Sequence, residues 1–189
     1  VQNLTIGFSG EHLRSFNSLG VVPVSKNENQ ITENEVEAVI EAAQAVSLPF
    51  EREILHVLPQ EFFIDQGDGI KDPIGNTGVR LEVQVHIVTA STAATQAIYK
   101  AVRAAGYEIT NLVLNPIVVG SSLLSAEEEE VGTLLIDIGG STTDVAVYYK
   151  GAIRHTASIG MGGKFITNDI AVGLQIPNNL AEKIKIASG

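Results

Sequence analysis

The spacing of apolar and polar residues predicts a strand, a helix and a second strand in the first third of the chain. Alternation over residues 1–8 is typical of a half-buried strand. Residues 33–47 carry one apolar stripe at helical spacing, and Thr32 with Glu35 forms the capping-box pattern that opens a helix. Residues 54–64 are strand-like but contain a proline, which favours an edge strand or a bent one.

The next elements complete a small module. Residues 66–78 are rich in turn-forming residues and predict a loop. Residues 79–87 alternate strictly, which predicts a strand with one face in solvent. A helix over 92–105 ends at a glycine, and a short strand follows over 109–114. Together these elements predict a small α+β subdomain within the first 112 residues.

A different pattern begins at residue 113. An Asn-Pro break is followed by a helical run that reaches residues 125–130. The remaining elements are predicted as a continuous apolar strand, two strands joined by a hairpin, and two helices, over residues 134–138, 145–149, 152–159, 165–174 and 180–186. The chain as a whole is therefore predicted to be an α/β protein.

Composition and charge narrow the function classes. Among 189 residues there is no cysteine, which excludes a disulfide framework, a thiolate metal site and cysteine nucleophilic catalysis. The net charge of −10 argues against a nucleic-acid partner or a broad anionic-lipid surface. The near-apolar run over 112–124 is too short and too interrupted to span a bilayer. We expect a soluble, cytoplasmic piece of a longer protein, because the chain starts without methionine inside a strand-like run.

One glycine-rich stretch between two predicted strands has the pattern of a phosphate loop: Asp-Ile-Gly-Gly-Ser-Thr-Thr-Asp over residues 137–144. Gly139 and Gly140 permit positive φ and a close approach of backbone N–H groups to an anion. Thr142 can add a hydroxyl donor, and Asp137 can hold the water shell of Mg²⁺. The same letters also fit an ordinary hairpin with a Gly-Gly turn, so the pattern alone leaves both interpretations open.

Two further features point to a polar ligand. The glycine cluster over residues 160–163 opens a helix, where free N–H groups and the helix dipole favour an anion, although glycine there is also ordinary loop geometry. Glu182 and Lys185 lie three residues apart on the last helix and can clamp a ligand, or form a surface pair worth a few tenths of a kcal/mol. The histidines show no metal-ligand spacing: His12, His56, His86 and His155.

Taken in order, these motifs resemble those of the actin/heat-shock/sugar-kinase ATPase superfamily. Nearly the whole chain is similar to the FtsA family of bacterial cell-division proteins, through the runs HVLPQEFFID, GIKDPIGNTGVRLEVQVHIVT, DIGGSTTDVAVY and IRHTASIGMGG. The resemblance implies that residues 1–112 are an inserted subdomain, called 1C. That subdomain serves self-association and contacts with later division proteins such as FtsN. Residues 113–189 would be a connecting helix and the first part of the actin-like nucleotide-binding subdomain 2A.

The resemblance also implies a site for ATP and Mg²⁺, of which this chain supplies one wall. Asp137 matches the residue that orders Mg²⁺ or the attacking water. Many relatives have a third glycine where this chain has Ser141, which makes one phosphate approach slightly less permissive. The implied nucleotide-binding residues are Gly139, Gly140, Ser141, Thr142, Gly162, Gly163, Glu182 and Lys185.

The implied function is an actin-like, ATP-binding cell-division protein that self-assembles and links the FtsZ ring to the membrane and to later division proteins. The FtsZ contact and a membrane-binding helix would lie outside this sequence, so we expect a peripheral location on the inner face of the cell membrane at the division site. Hydrolysis would be slow at most in the longer protein and negligible here. The alternatives are a small-molecule kinase of the same superfamily and a protein-interaction module without nucleotide.

Overall fold

Three small sheets and six helices organise the part of the chain that the computed structural model describes, residues 3–24 and 29–189. In chain order the strands are β1 (Asn3–Phe8), β2 (Arg14–Pro23), β3 (Arg52–Ile64), β4 (Arg80–Ser91), β5 (Glu108–Leu114), β6 (Thr133–Ile138), β7 (Thr143–Tyr149) and β8 (Ala152–Ile159). The helices are α1 (Glu33–Gln44), α2 (Thr92–Ala104), α3 (Asn115–Leu123), α4 (Ala126–Val131), α5 (Gly163–Leu174) and α6 (Asn178–Ser188). The predicted α/β class is confirmed, and residues 1–2 of the first predicted strand lie outside the described residues.

The first module is an antiparallel sheet in the order β2-β4-β3 with α1 packed on one face. A Cβ at Gly20 of β2 would collide with backbone atoms of Val39 and Ala43, so α1 lies directly against this strand. Val39 and Ala43 are fully buried, as are Leu81 and Val83 of β4 opposite them. Burial of this apolar face holds α1 on the sheet.

Two predictions for this module are confirmed. The capping box of Thr32 and Glu35 is present, and the Thr32 amide donates to the Glu35 carboxylate at 3.0 Å. The helix ends at Gln44, three residues earlier than predicted. β3 is an edge strand, and its pairing with β4 shifts register between Ile54 and His56 and again between Pro59 and Glu61. Proline cannot donate a ladder hydrogen bond, and it is tolerated in β3 because an edge strand has neighbours on one side only.

Sequence patterning missed β2 and was wrong about one face of β4. β2 is rich in serine, asparagine and glycine, and it is a strand because it pairs with β4 over its whole length. The polar face of β4 was predicted to be in solvent, yet His86 is completely buried. The reason is tertiary: β8, about 70 residues later in the chain, packs across this end of the sheet.

β1 and β5 form a separate two-stranded parallel sheet. The sequence analysis divides the chain into two subdomains after residue 112, and this residue lies inside β5. The division into two subdomains stays a prediction. The third sheet has the order β6-β7-β8, with the predicted hairpin at Lys150 and Gly151 in left-handed conformation, at φ of 53° and 66°. Tyr148 of β7 anchors α3 to this sheet by donating its hydroxyl to the Pro116 carbonyl at 3.0 Å.

Candidate functional site

The loop between β6 and β7 packs against the start of α5. The amide of Gly163 donates to the Gly139 carbonyl at 2.9 Å, and the amide of Lys164 donates to the Gly140 carbonyl at 2.8 Å. A Cβ at Gly162 would lie 2.5 Å from the Gly139 carbonyl oxygen and 2.8 Å from the Gly140 carbonyl carbon. The glycine at position 162 is therefore required by the close approach of two backbones.

This packing corrects two expectations about how the glycines act. Gly139 and Gly140 are not among the residues with positive φ. The first two amides of α5 are already paired with loop carbonyls, so the helix start does not offer them to an anion. Within the described part of the chain, the amides of Gly140 and Ser141 make no backbone hydrogen bond. The unpaired N–H groups thus belong to the β6–β7 loop.

A pocket of about 520 Å³ opens between this loop and the last two helices. Its wall combines backbone from the glycine loop with polar and charged side chains from α5 and α6. The lining residues are Gly140, Gly163, Lys164, Thr167, Asn178, Asn179, Glu182 and Lys185. Four of the residues predicted from the sequence, from three different elements, therefore meet at one cavity.

Glu182 and Lys185 are built into this wall and are more than a surface pair. Their charged groups are 2.8 Å apart. Lys185 also donates to the Gly163 carbonyl at 3.1 Å and to the Thr167 hydroxyl at 2.9 Å, and Thr167 donates to the Glu182 carboxylate. Hydrogen bonds from Lys185 and Thr167 lower the pKa of Glu182, which keeps its carboxylate ionised at neutral pH.

The other predicted residues lie beside the pocket and not in its lining. Asp137 is the last but one residue of β6 and is half-buried, and its register partner on β7 is Asp144. Ser141 is exposed at the tip of the loop. The hydroxyl of Thr142 lies 3.1 Å from that of Ser9, which follows β1. The structure therefore brings Asp137 next to a second carboxylate that the sequence analysis did not assign.

Asp144 is the main residue that sequence reasoning missed. It is 2 % exposed, the Ser9 hydroxyl donates to one of its carboxylate oxygens, and the other oxygen has no hydrogen-bond partner among the described residues. An unpaired buried carboxylate oxygen is costly unless a cation or a water satisfies it. Asp144 is the last residue of the glycine-rich motif, so the sequence contains a second carboxylate that could have been considered. Ser9 lies far away along the chain, and no sequence pattern indicates that it contacts Asp144.

The donor set fits a nucleotide with a hydrated divalent cation. Lys164 and Lys185 supply positive charge near the loop, and Glu182 can accept hydrogen bonds from hydroxyl groups. Within residues 3–24 and 29–189, no three metal-ligating side chains cluster closely enough to enclose a metal. A magnesium ion at Asp137 and Asp144 would therefore depend on phosphate oxygens and retained waters, as Mg²⁺ commonly does.

One solved structure shares the fold of this chain over nearly its whole length. A solved structure of the PilM-PilN type IV pilus biogenesis complex superposes with a TM-score of 0.66 at 21% sequence identity, covering 97% of this chain and 50% of that one. At this identity the likeness concerns the fold alone. Within the described residues, no helix combines the length and the apolar character that crossing a bilayer requires.

Sequence comparisons identify the family. The SHS2 domain inserted in FtsA matches residues 10–89, and the family "Cell division protein FtsA" matches residues 134–189. The chain belongs to the FtsA family. Proteins named cell division protein FtsA are 42% identical over 186 residues in Pseudomonas aeruginosa and 40% identical over 189 residues in Neisseria meningitidis. These matches cover 98% and 100% of this chain but only 44% and 45% of the relatives, so the chain spans less than half of their length.

Proposed function

We propose that this chain forms one wall of an ATP·Mg²⁺ site in an actin-like cell-division protein. The observation that carries the proposal is the pocket of about 520 Å³ whose rim joins the glycine loop to the Glu182–Lys185 pair. The two parts are physically connected, since Lys185 donates to the carbonyl of Gly163. A nucleotide laid across this pocket would meet charged side chains at one end and unpaired amides at the other.

Each part of the site has a distinct role in this proposal. The amides of Gly140 and Ser141 donate to phosphate oxygens, assisted by the Thr142 hydroxyl. Glu182 accepts hydrogen bonds from hydroxyl groups of the nucleoside, and Lys185 fixes the orientation of the Glu182 carboxylate. When bound, Mg²⁺ neutralises phosphate charge, and Asp137 holds its water shell or orders the attacking water. Gly162 lets the loop and α5 approach closely, and Gly139 and Gly163 join them through the hydrogen bond between their backbones.

Membership of the FtsA family supports a wider role for the longer protein. We propose that it self-assembles, binds FtsN-type late division proteins through residues 1–112, and links FtsZ to the membrane through regions outside this sequence. It would then act at the inner face of the cell membrane. With one wall of the site in this chain, nucleotide turnover by these 189 residues is expected to be negligible and turnover by the longer protein slow.

Calorimetric titration with ATP and Mg²⁺ tests the proposal. The natural chain that contains this sequence is compared with the 189-residue chain, each with Asp137→Ala and with the control Asp169→Ala, which alters an exposed carboxylate on α5. We expect binding by the longer chain, weakened about tenfold or more by Asp137→Ala, unchanged by Asp169→Ala, and much weaker in the short chain. A folded natural chain that binds no ATP would overturn the proposal and leave an interaction module.

A further inference from the structure

β8 is held on both of its edges by different parts of the molecule. One edge pairs with β7. Towards the first module, three β8 carbonyls accept hydrogen bonds from its side chains: Thr156 from Ser15 at 2.7 Å, Arg154 from Asn17 at 3.4 Å and Ile153 from Gln60 at 2.7 Å. The first module therefore satisfies with side chains the hydrogen bonds that a further strand would otherwise make.

His86 lies at the centre of this contact and is completely buried. Its Nδ1 is 2.7 Å from the Asn17 side-chain oxygen, and its Nε2 is 2.9 Å from the Thr156 hydroxyl. Since the Asn17 amide nitrogen donates to the Arg154 carbonyl, its oxygen faces His86 and accepts. The hydrogen-bond pattern therefore assigns a neutral ring that donates from Nδ1 and accepts from Thr156 at Nε2.

We call this contact the β8 seam. It comprises Ser15, Asn17, Gln60 and His86 of the first module with Ile153, Arg154 and Thr156 of β8.

The seam leads directly to the candidate nucleotide pocket. β8 ends at Ile159, three residues after Thr156, and the chain continues into the cluster at residues 160–163. Thr143 donates its hydroxyl to the Met161 carbonyl at 2.8 Å, and Gly162 is in tight backbone contact with the β6–β7 loop. Because this contact leaves little room, a displacement of β8 displaces the loop that borders the pocket as well.

The seam also has hydrogen-bonding capacity that the observed arrangement does not use. The side-chain oxygen of Gln60 and the Nη2 of Arg154 are buried, and neither has a hydrogen-bond partner within the described residues. Buried polar groups are normally paired. A second position of β8, in which these two atoms are paired, is therefore chemically reasonable. An element that couples two sites needs two such discrete positions.

We propose that the first module controls the nucleotide affinity of the pocket through the β8 seam, with His86 as the central positioning residue. This inference rests on the proposed nucleotide function. The module holds β8, β8 sets the Gly160–Gly163 cluster, and the cluster sets the loop that contributes the unpaired amides. The coupling is reciprocal. The free energy by which the seam changes nucleotide binding equals the free energy by which nucleotide binding changes the seam.

Thr156→Val tests the proposal, because it removes the hydroxyl that bonds His86 while keeping the side-chain shape. Thr156→Ser restores the hydroxyl, and His86→Gln is a second variant that retains a donor and an acceptor but alters their positions. Gln84→Leu is the control, since residue 84 lies two positions along β4 on the same face and outside the seam. All variants are made in the natural chain that contains this sequence, and folding is checked by thermal unfolding.

The primary measurement is ATP·Mg²⁺ affinity by calorimetry. We expect Thr156→Val and His86→Gln to change the affinity by about fivefold or more, the lower range of measured couplings. Thr156→Ser and Gln84→Leu should stay within about twofold of the wild type. In hydrogen exchange, ATP should alter protection of the β2 and β4 amides in the wild type and leave it unchanged in Thr156→Val.

The outcomes separate the two proposals. If the wild type binds ATP and the folded variants bind it equally well, the seam proposal is overturned and the nucleotide site stands. If the folded wild type binds no ATP, the proposed function itself fails, and the seam proposal fails with it. Should Thr156→Val not fold, His86→Gln together with the exchange data decides.

Discussion

His86 is a fully buried histidine whose two ring nitrogens both face neutral partners, Asn17 and Thr156. Burial, with a smaller contribution from the charge of His155, lowers the pKa of His86 from its ordinary value of 6.5 to about 4. The unfolded chain binds this proton below pH 6.5, whereas the native chain binds it only near pH 4. The free energy of unfolding therefore falls as the pH drops through this interval, by about 3 kcal/mol in total.

Urea unfolding at pH 7 and at pH 4.5 checks this prediction. Between these two pH values the wild type should lose most of the ~3 kcal/mol, whereas His86→Gln should not show this loss of unfolding free energy, because glutamine cannot take up the proton. His155→Gln is the matched control, because residue 155 is exposed on β8. It should keep most of the acid destabilisation, since burial is the larger cause of the lowered His86 pKa and the charge of His155 the smaller one. Equal acid sensitivity in His86→Gln and the wild type would show that His86 titrates normally in the folded protein.

Single residues also show where prediction from sequence stops. Asp137 and Asp144 stand in one motif, but the sequence analysis assigned a role to Asp137 alone. The hydroxyl of Ser9, which holds Asp144, lies 135 positions away along the chain. Its sequence surroundings have no pattern that indicates this role. Contacts of this kind depend on how β1 lies relative to β7, and no local spacing encodes that arrangement.

At the scale of elements, the contact between the β6–β7 loop and α5 defines one end of the pocket. Gly162→Ala would place a Cβ 2.5 Å from the Gly139 carbonyl oxygen, so backbone must move. We expect a loss of about 1–3 kcal/mol in unfolding free energy and at least tenfold weaker ATP·Mg²⁺ binding. Gly173→Ala is the control within α5: its Cβ would meet no atom within 4 Å, and alanine should stabilise the helix by up to about 1 kcal/mol.

Calorimetry and urea unfolding on both variants measure the two effects. If Gly162→Ala is as stable as the wild type and binds nucleotide equally well, the loop and the helix are not in the close contact described above.

Elements with a local signature were predictable, and elements defined by their neighbours were not. α1 carries its own capping box and apolar stripe, and the β7–β8 hairpin carries a turn that requires left-handed residues. β2 lacks a clear alternation and exists through its pairing with β4. The alternation in β4 predicts that its polar face is exposed to solvent, whereas in the structure β8 covers His86 on this face. The same division applies to the site, where Glu182 and Lys185 were found by spacing and the β8 seam was not.

At the scale of the whole molecule, three ion pairs among the described residues join the first module to α4 and the region of β6–β8. Glu61 of β3 accepts from Arg154 at 2.9 Å and from Lys150 at 3.1 Å, and its side chain is only 14% exposed. The third pair, Lys71 with Glu130, has both side chains more than half exposed. Exposed pairs add little to stability, whereas removing one partner of a buried pair leaves an uncompensated charge. The three pairs should therefore contribute different amounts to the free energy of unfolding.

Arg154→Ala should lower the free energy of unfolding by about 2 kcal/mol, while Lys71→Ala should lower it by less than about 0.5 kcal/mol. Burial by itself would raise the pKa of Glu61, but hydrogen bonds and charges from Arg154 and Lys150 outweigh it and lower the pKa. Removing Arg154 should therefore raise the Glu61 pKa towards its ordinary value, measured by NMR titration. The loss of stability on acidification that comes from Glu61 should then be smaller than in the wild type, because its pKa differs less between the folded and the unfolded chain. Equal losses of unfolding free energy in the two variants would mean that Glu61 makes no special contribution. Apolar packing and the hydrogen bonds of the β8 seam would then hold the first module and the region of β6–β8 together.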